Sequence, residues 1–192
     1  ACSEDISSGE GTDDTFDRSQ LTSAWVNDLW LPAITDFKSD IDKLEIVTQN
    51  FVLDPDQMGL DQLRDNWLSA YKKWQHVHIF SYDVLNEDGI YNYADDINSY
   101  PVDINQIESN IISTVDVPFQ FDRHDDAQGL PAIDYLINGL AASDTEIIEK
   151  FKDSNYKNYL SLLVTRMKSL TAYQIGYISS IDINSTSNEK GS

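Results

Sequence analysis

Residues 60–78, LDQLRDNWLSAYKKWQHVH, decide the fold. Leu60, Leu63, Trp67, Tyr71, Trp74 and His78 follow one another at steps of three and four, the spacing of one face of an α-helix. This is the strongest amphipathic pattern in the chain, and it predicts a helix over about residues 60–83. The same period recurs on both sides of it. Trp30, Ile34, Phe37, Ile41, Leu44 and Phe51 predict a first helix over about residues 22–51, with Pro32 either kinking it or marking its first turn. Asp54-Pro55-Asp56 is a turn. Asp103 and Gln106 read as a capping pair that opens a third helix striped by Ile104, Ile107, Ile111 and Val115. Ser143 and Glu146 make another capping box. Tyr156, Leu160, Leu163, Met167, Leu170 and Tyr177 predict a last helix over about residues 155–181. Residues 86–100 and 117–128 lack a helical period and are predicted as long loops, a common place for function.

Strict alternation is scarce and no run of hairpin turns is present. Several helices of about 20 residues or more, each with one apolar stripe, bury those stripes best in an all-α, antiparallel up-and-down bundle with long loops. The expected division is a polar, acidic tether over residues 1–19, the bundle over residues 20–181 and a polar tail over residues 182–192.

Of 192 residues 41% are hydrophobic, enough for one domain with its own core. The formal net charge is -20, from 13 basic and 33 acidic side chains. Such a field repels phosphate backbones and anionic headgroups, which excludes nucleic acid as a partner. No apolar run approaches the ~20 residues needed to cross a bilayer as a helix. The single cysteine, Cys2, rules out a disulfide within the chain. A small residue followed by cysteine, Ala1-Cys2, and then a flexible acidic tether resembles the end of a bacterial lipoprotein cleavage site. The expectation is a lipidated Cys2 that anchors the domain to a membrane of the bacterial cell envelope.

The run GLPAIDYLING, residues 129–139, carries the functional expectation. Asp134 lies four residues after Leu130 and three before Ile137, so it shares their side of a helix. A carboxylate on an apolar face must find a partner or stay protonated. Gly129 precedes this helix, Pro131 suits its first turn and Gly139 can stop it. His78, on the aromatic stripe, is expected to face the bundle interior. Both side chains have two readings: an anchor satisfied by a backbone group or a counter-charge, or a ligand. The ligand reading places a pocket between the second helix and the Asp134 helix. His78 and Asp134 form its floor and candidate metal-ligand pair, for a divalent metal or iron, and Tyr71, Trp74 and Tyr135 form its walls. His124-Asp125-Asp126 reads as solvated surface, with a peripheral cation site as the lesser reading, and Asp95-Asp96 reads as solvated surface. There is no phosphate loop, no cysteine-based zinc pattern and no His-Glu-x-x-His, and no serine sits in a nucleophile elbow. No catalytic residue is assigned.

The run from Gly129 to Ile137 resembles the imelysin family, whose signature is a Gly-x-His-x-x-Glu helix continuing into aromatic and leucine residues. Trp67 and Trp74, seven apart with Phe80 following, and Tyr100-Pro101-Val102-Asp103 resemble two further landmarks in the family's order. The resemblance spans about residues 20–180. It implies two related helical bundles, of which this chain is similar to the N-terminal half, in bacterial periplasmic or membrane-anchored proteins tied to iron supply. Some members carry a metallopeptidase label. Pro131 stands at the signature histidine, Asp134 at the signature glutamate, and His78 where many relatives have an acid. Those departures favour a non-enzymatic, metal- or iron-linked binding protein over a metallopeptidase, with a purely structural or adhesive module as the third reading. The implied partner is the C-terminal half of the same fold or a second copy, covering an apolar surface.

Overall fold

The computed structural model describes residues 18–80, 93–113 and 124–180, and all the regular structure among them is helical. Helix α1, Arg18–Ala24, passes through a π-helical segment, Trp25–Trp30, into α2, Leu31–Leu53. After a turn, α3 spans Gln57–His78. Short helices follow: α4, Tyr93–Asn98, and α5, Ile104–Ile112. A 3-10 turn, Asp125–Ala127, leads to α6, Gly129–Asp134, which runs into a second π segment, Tyr135–Gly139. Helices α7, Asp144–Lys150, and α8, Ser154–Ser180, complete the described fold.

The long helices α2, α3 and α8 make the frame. Helix α2 is central. It pairs antiparallel with α3 across the Asp54–Asp56 turn and packs along α8. Phe51 meets Phe151 edge-to-face at 5.0 Å, while Glu45 accepts from Lys168 at 2.6 Å, so α8 runs antiparallel to α2. The fourth wall is broken into short pieces, with α6 touching both α3 and α8 and with α4 and α5 lying against α8. Ile34, Phe37, Ile41, Leu44 and Phe51 of α2, Leu60, Leu63 and Trp74 of α3, and Leu160, Leu163 and Met167 of α8 are buried in one core. Each such side chain contributes about 1.5–3 kcal/mol by leaving water. The bundle expected from the stripes is the one observed.

Boundaries shift where tertiary packing overrides local pattern. The first helix is longer than expected, and Pro32 does not end it: the Leu31 N–H reaches back five residues to the Val26 carbonyl. That wider turn makes room for a proline ring, and Pro32 lies in the first turn of α2 beyond it. Helix α3 begins at Gln57, where the Asp56 carboxylate accepts from the Gly59 N–H at 2.7 Å, and ends at His78, short of the expected residue 83. The stretch expected as a loop over residues 86–100 contains α4. Six residues are too few to show a period, and this helix is held by its neighbours: Tyr93 and Ile97 are buried, and the Tyr93 hydroxyl lies 3.0 Å from that of Thr171. Both capping residues perform as expected, Asp103 accepting from the Gln106 N–H at 3.0 Å and Ser143 from the Glu146 N–H at 3.3 Å.

Candidate functional site

Helix α6 is clamped from several directions. Gly129 has φ +71, and a Cβ there would stand 2.3 Å from the Ile97 carbonyl oxygen, so only glycine lets the two backbones touch. The Trp67 indole donates to the Leu130 carbonyl at 2.9 Å. Arg64 donates to the Ile137 carbonyl through Nε and one terminal nitrogen, at 3.1 and 2.9 Å, and both its terminal nitrogens hold Asp144 at 2.7–2.8 Å. Arg64 thereby serves a carbonyl in the last turn of the π segment, where a helix end leaves carbonyls without intrahelical donors. Leu130, Pro131, Ala132, Ile133, Leu136 and Ile137 are buried.

The buried acid beside this helix is Asp96 of α4, not Asp134. Asp96 is 7% exposed. Gln128 donates to its Oδ1 at 2.8 Å and to Asp125 at 3.2 Å, while Arg166 of α8 donates to Gln128 Oε1 at 2.5 Å and to Asp96 at 3.4 Å. Burial pushes the Asp96 carboxyl up to about 6; Arg166 opposes the shift and the Asp125 charge adds to it. Close by, the Tyr159 hydroxyl donates to the Ala127 carbonyl at 2.5 Å and accepts from Asn110 at 3.3 Å. The reading of Asp95-Asp96 as solvated surface is therefore corrected at Asp96. The available signal was Tyr93 and Ile97, four residues apart on either side of it.

The expected pocket residues do not converge. His78 is exposed in the last turn of α3, its ring 5.8 Å from that of Trp74. Trp67, which contacts the start of α6, lies eleven residues earlier on the same helix, about 16 Å along the axis. His78 and Asp134 therefore do not share a floor. The stripe misplaced His78 because its inward face drifts round the helix, and Val77 takes the core position at that level. Trp74 is fully buried against Phe37 and Tyr93 and lines no open surface. Tyr135, half-buried, donates to Glu108 at 2.8 Å, and burial with that partner pushes its phenol up to about 12. Asp134 is half-buried and accepts from Asn138 at 2.8 Å. Its charge acts on Tyr100, which is 60% exposed and whose phenol is raised modestly, first by partial desolvation and then by Asp134 and Tyr71. Tyr71 is half-buried and stacks on Trp67 at 5.3 Å. Among the described residues no three His, Cys, Asp or Glu side chains are placed to hold a metal ion. His124 is exposed, and Asp125 is drawn into the Gln128 cluster. Cys2 lies outside the described residues.

A solved structure from Parabacteroides distasonis ATCC 8503, provisionally named an iron-regulated protein A precursor, has a similar fold, with a TM-score of 0.65 at 18% identity. The match covers 91% of this chain and 50% of that one, so this chain spans about half the length of that protein. No curated protein matches the sequence. No helix among the described residues is long and apolar enough to cross a membrane. The imelysin family model matches residues 30–173, which takes in α2, α3, the clamped α6 and most of α8, and the chain belongs to the imelysin family.

Proposed function

We propose that this chain is an imelysin-type binding module of the bacterial cell envelope, anchored through Cys2, that serves iron supply by holding a hard cation rather than by cutting peptide bonds. The observation that carries this reading is Asp134 itself: a half-buried carboxylate whose charge acts on the Tyr100 phenol, which Tyr71 also influences, on a helix whose backbone is fixed by Trp67 and Arg64. Carboxylate and phenol oxygens are hard donors, which suit a small, highly charged cation such as ferric iron. Asn138 engages Asp134 Oδ1, and Oδ2 is the oxygen we assign to the ligand. Against peptidase chemistry stands Pro131, buried at the position of the signature histidine and offering no donor. A catalytic zinc needs three protein ligands and an open position.

Titration with ferric nitrilotriacetate tests the site. The expected result is heat of binding together with a visible phenolate-to-iron band, both lost in Asp134→Ala, the band weakened in Tyr71→Phe, and neither changed in His78→Ala. Equal signals from the parent chain and Asp134→Ala would remove the site. Chelator-sensitive cleavage of an unfolded substrate by the pure protein would replace this reading with the metallopeptidase one.

A further inference from the structure

Away from that face, exposed apolar side chains gather at one end of the bundle. Leu21, Trp25 and Leu29 recur at four-residue steps along α1 and the first π segment and are 51%, 57% and 50% exposed. The same stretch turns Val26 and Trp30 into the core. Phe80 joins this stripe to the end of α3. Its ring meets Trp25 edge-on at 6.1 Å and stacks on Trp30 at 6.3 Å, and its neighbour Ile79 is 70% exposed.

Charge at this end differs from the rest of the chain. Residues 66–80 hold Lys72, Lys73, His76 and His78 and no acid, and residues 18–35 hold a single acid, Asp28, in a chain of net charge -20; Lys73 pairs with Asp36 at 2.7 Å, which leaves Lys72 as the lysine of this stretch open to an approaching surface. Charges beyond a Debye length of about 8 Å are largely screened at physiological salt, so an approaching surface meets this local balance rather than the total.

We infer that Leu21, Trp25, Leu29 and Ile79 form a foot that inserts into the surface of a phospholipid bilayer. A tryptophan flanked by leucines on an amphipathic helix suits the boundary between headgroups and acyl chains. Leu21 follows Cys2 by 19 residues in the sequence, so a lipid on that cysteine and the foot would meet the same membrane; this rests on the cell-envelope reading. Size favours a bilayer over a second copy. One half-exposed tryptophan and three aliphatic side chains offer a few hundred Å². A standard protein interface buries about 800 Å² on each partner.

Unlipidated chain carrying Cys2→Ser is mixed with phosphatidylcholine vesicles, with and without one-fifth phosphatidylglycerol. The expected result is co-sedimentation and a blue shift of tryptophan emission, with binding at least as strong in the anionic vesicles. The triple variant Leu21→Glu, Trp25→Glu, Leu29→Glu, confirmed folded by circular dichroism, should lose at least five-fold in partitioning. Ile79→Glu should lose part, and Trp25→Phe should bind with a smaller shift. No binding by the parent chain, equal binding by the triple variant, or self-association through the stripe that vesicles do not compete away would each overturn the foot. Mass spectrometry of Cys2 from bacterial membranes tests the anchor separately, so failure of one does not mask failure of the other.

Discussion

Gly129 lies against Ile97 so closely that a methyl group on its α-carbon would sit 2.3 Å from the Ile97 carbonyl oxygen. The contact joins α4 to α6 through backbone alone, and φ +71 adds a second reason for glycine. Gly129→Ala should therefore cost more than about 3 kcal/mol, because neither backbone can retreat without disturbing the other. A methyl group on Gly176 of α8 would meet nothing within 4 Å, and Gly176→Ala should be neutral or stabilise by up to about 1 kcal/mol. Urea denaturation of both variants checks the contrast, and equal midpoints would disprove the contact.

Asp96 sets a pH dependence of definite sign. Its carboxyl is raised to about 6 from 3.8, so the folded state binds this proton more tightly than the unfolded chain does. Its contribution to stability is greatest in acid, falls as pH rises from about 4 to about 6, and is constant above that. Asp96→Asn keeps an acceptor for Gln128 but cannot ionise. Its stability relative to the parent chain should improve across that window by up to about 3 kcal/mol. Denaturation midpoints of both proteins at several pH values between 4 and 7 read this out, and a pH-independent difference would show that Asp96 titrates as an ordinary surface acid.

The frame was legible because α2, α3 and α8 each bury one stripe, and period alone reports such a stripe. The fourth wall was not, because α4 and α6 are six residues each and owe their helicity to neighbours remote in sequence. The same distinction governs the site. Asp134 was conspicuous because it follows apolar residues, yet it lies at the edge of the buried face. Asp96 was inconspicuous beside Asp95, and only the arrival of Gln128 and Arg166 from 32 and 70 residues away makes it a buried acid. His78 was misplaced by continuing a stripe to the helix end, where one residue of drift exchanges it with Val77.

Arg64 does two jobs that mutation can separate. Its guanidinium caps the buried Ile137 carbonyl and pairs with Asp144. Arg64→Met should cost about 1–3 kcal/mol, the penalty for leaving that carbonyl without its donor. Asp144→Asn should cost less, since it removes only the more exposed ion pair. The Asp144 carboxyl is held down at about 2 by Arg64 and Gln57, so its contribution is present above about pH 4 and fades as pH falls toward 2. Thermal melts at pH 7 should rank Arg64→Met below Asp144→Asn, and the reverse order would mean that the carbonyl does not depend on Arg64.

Tyr100 provides a readout of Asp134 that needs no ligand. Burial raises its phenol first, and the Asp134 charge raises it further by opposing a phenolate. Asp134→Asn removes that charge while leaving burial in place, so the Tyr100 pKa should fall but stay above its ordinary value. Tyr71→Phe should lower it as well, by a smaller amount, because the Asp134 charge acts on Tyr100 more strongly than Tyr71 does. Carbon-13 labelling of tyrosine rings, with the Tyr100 signal assigned from Tyr100→Phe, follows the titration directly. A Tyr100 curve unmoved by Asp134→Asn would separate the carboxylate from the phenol and leave the proposed cation site without its second kind of donor.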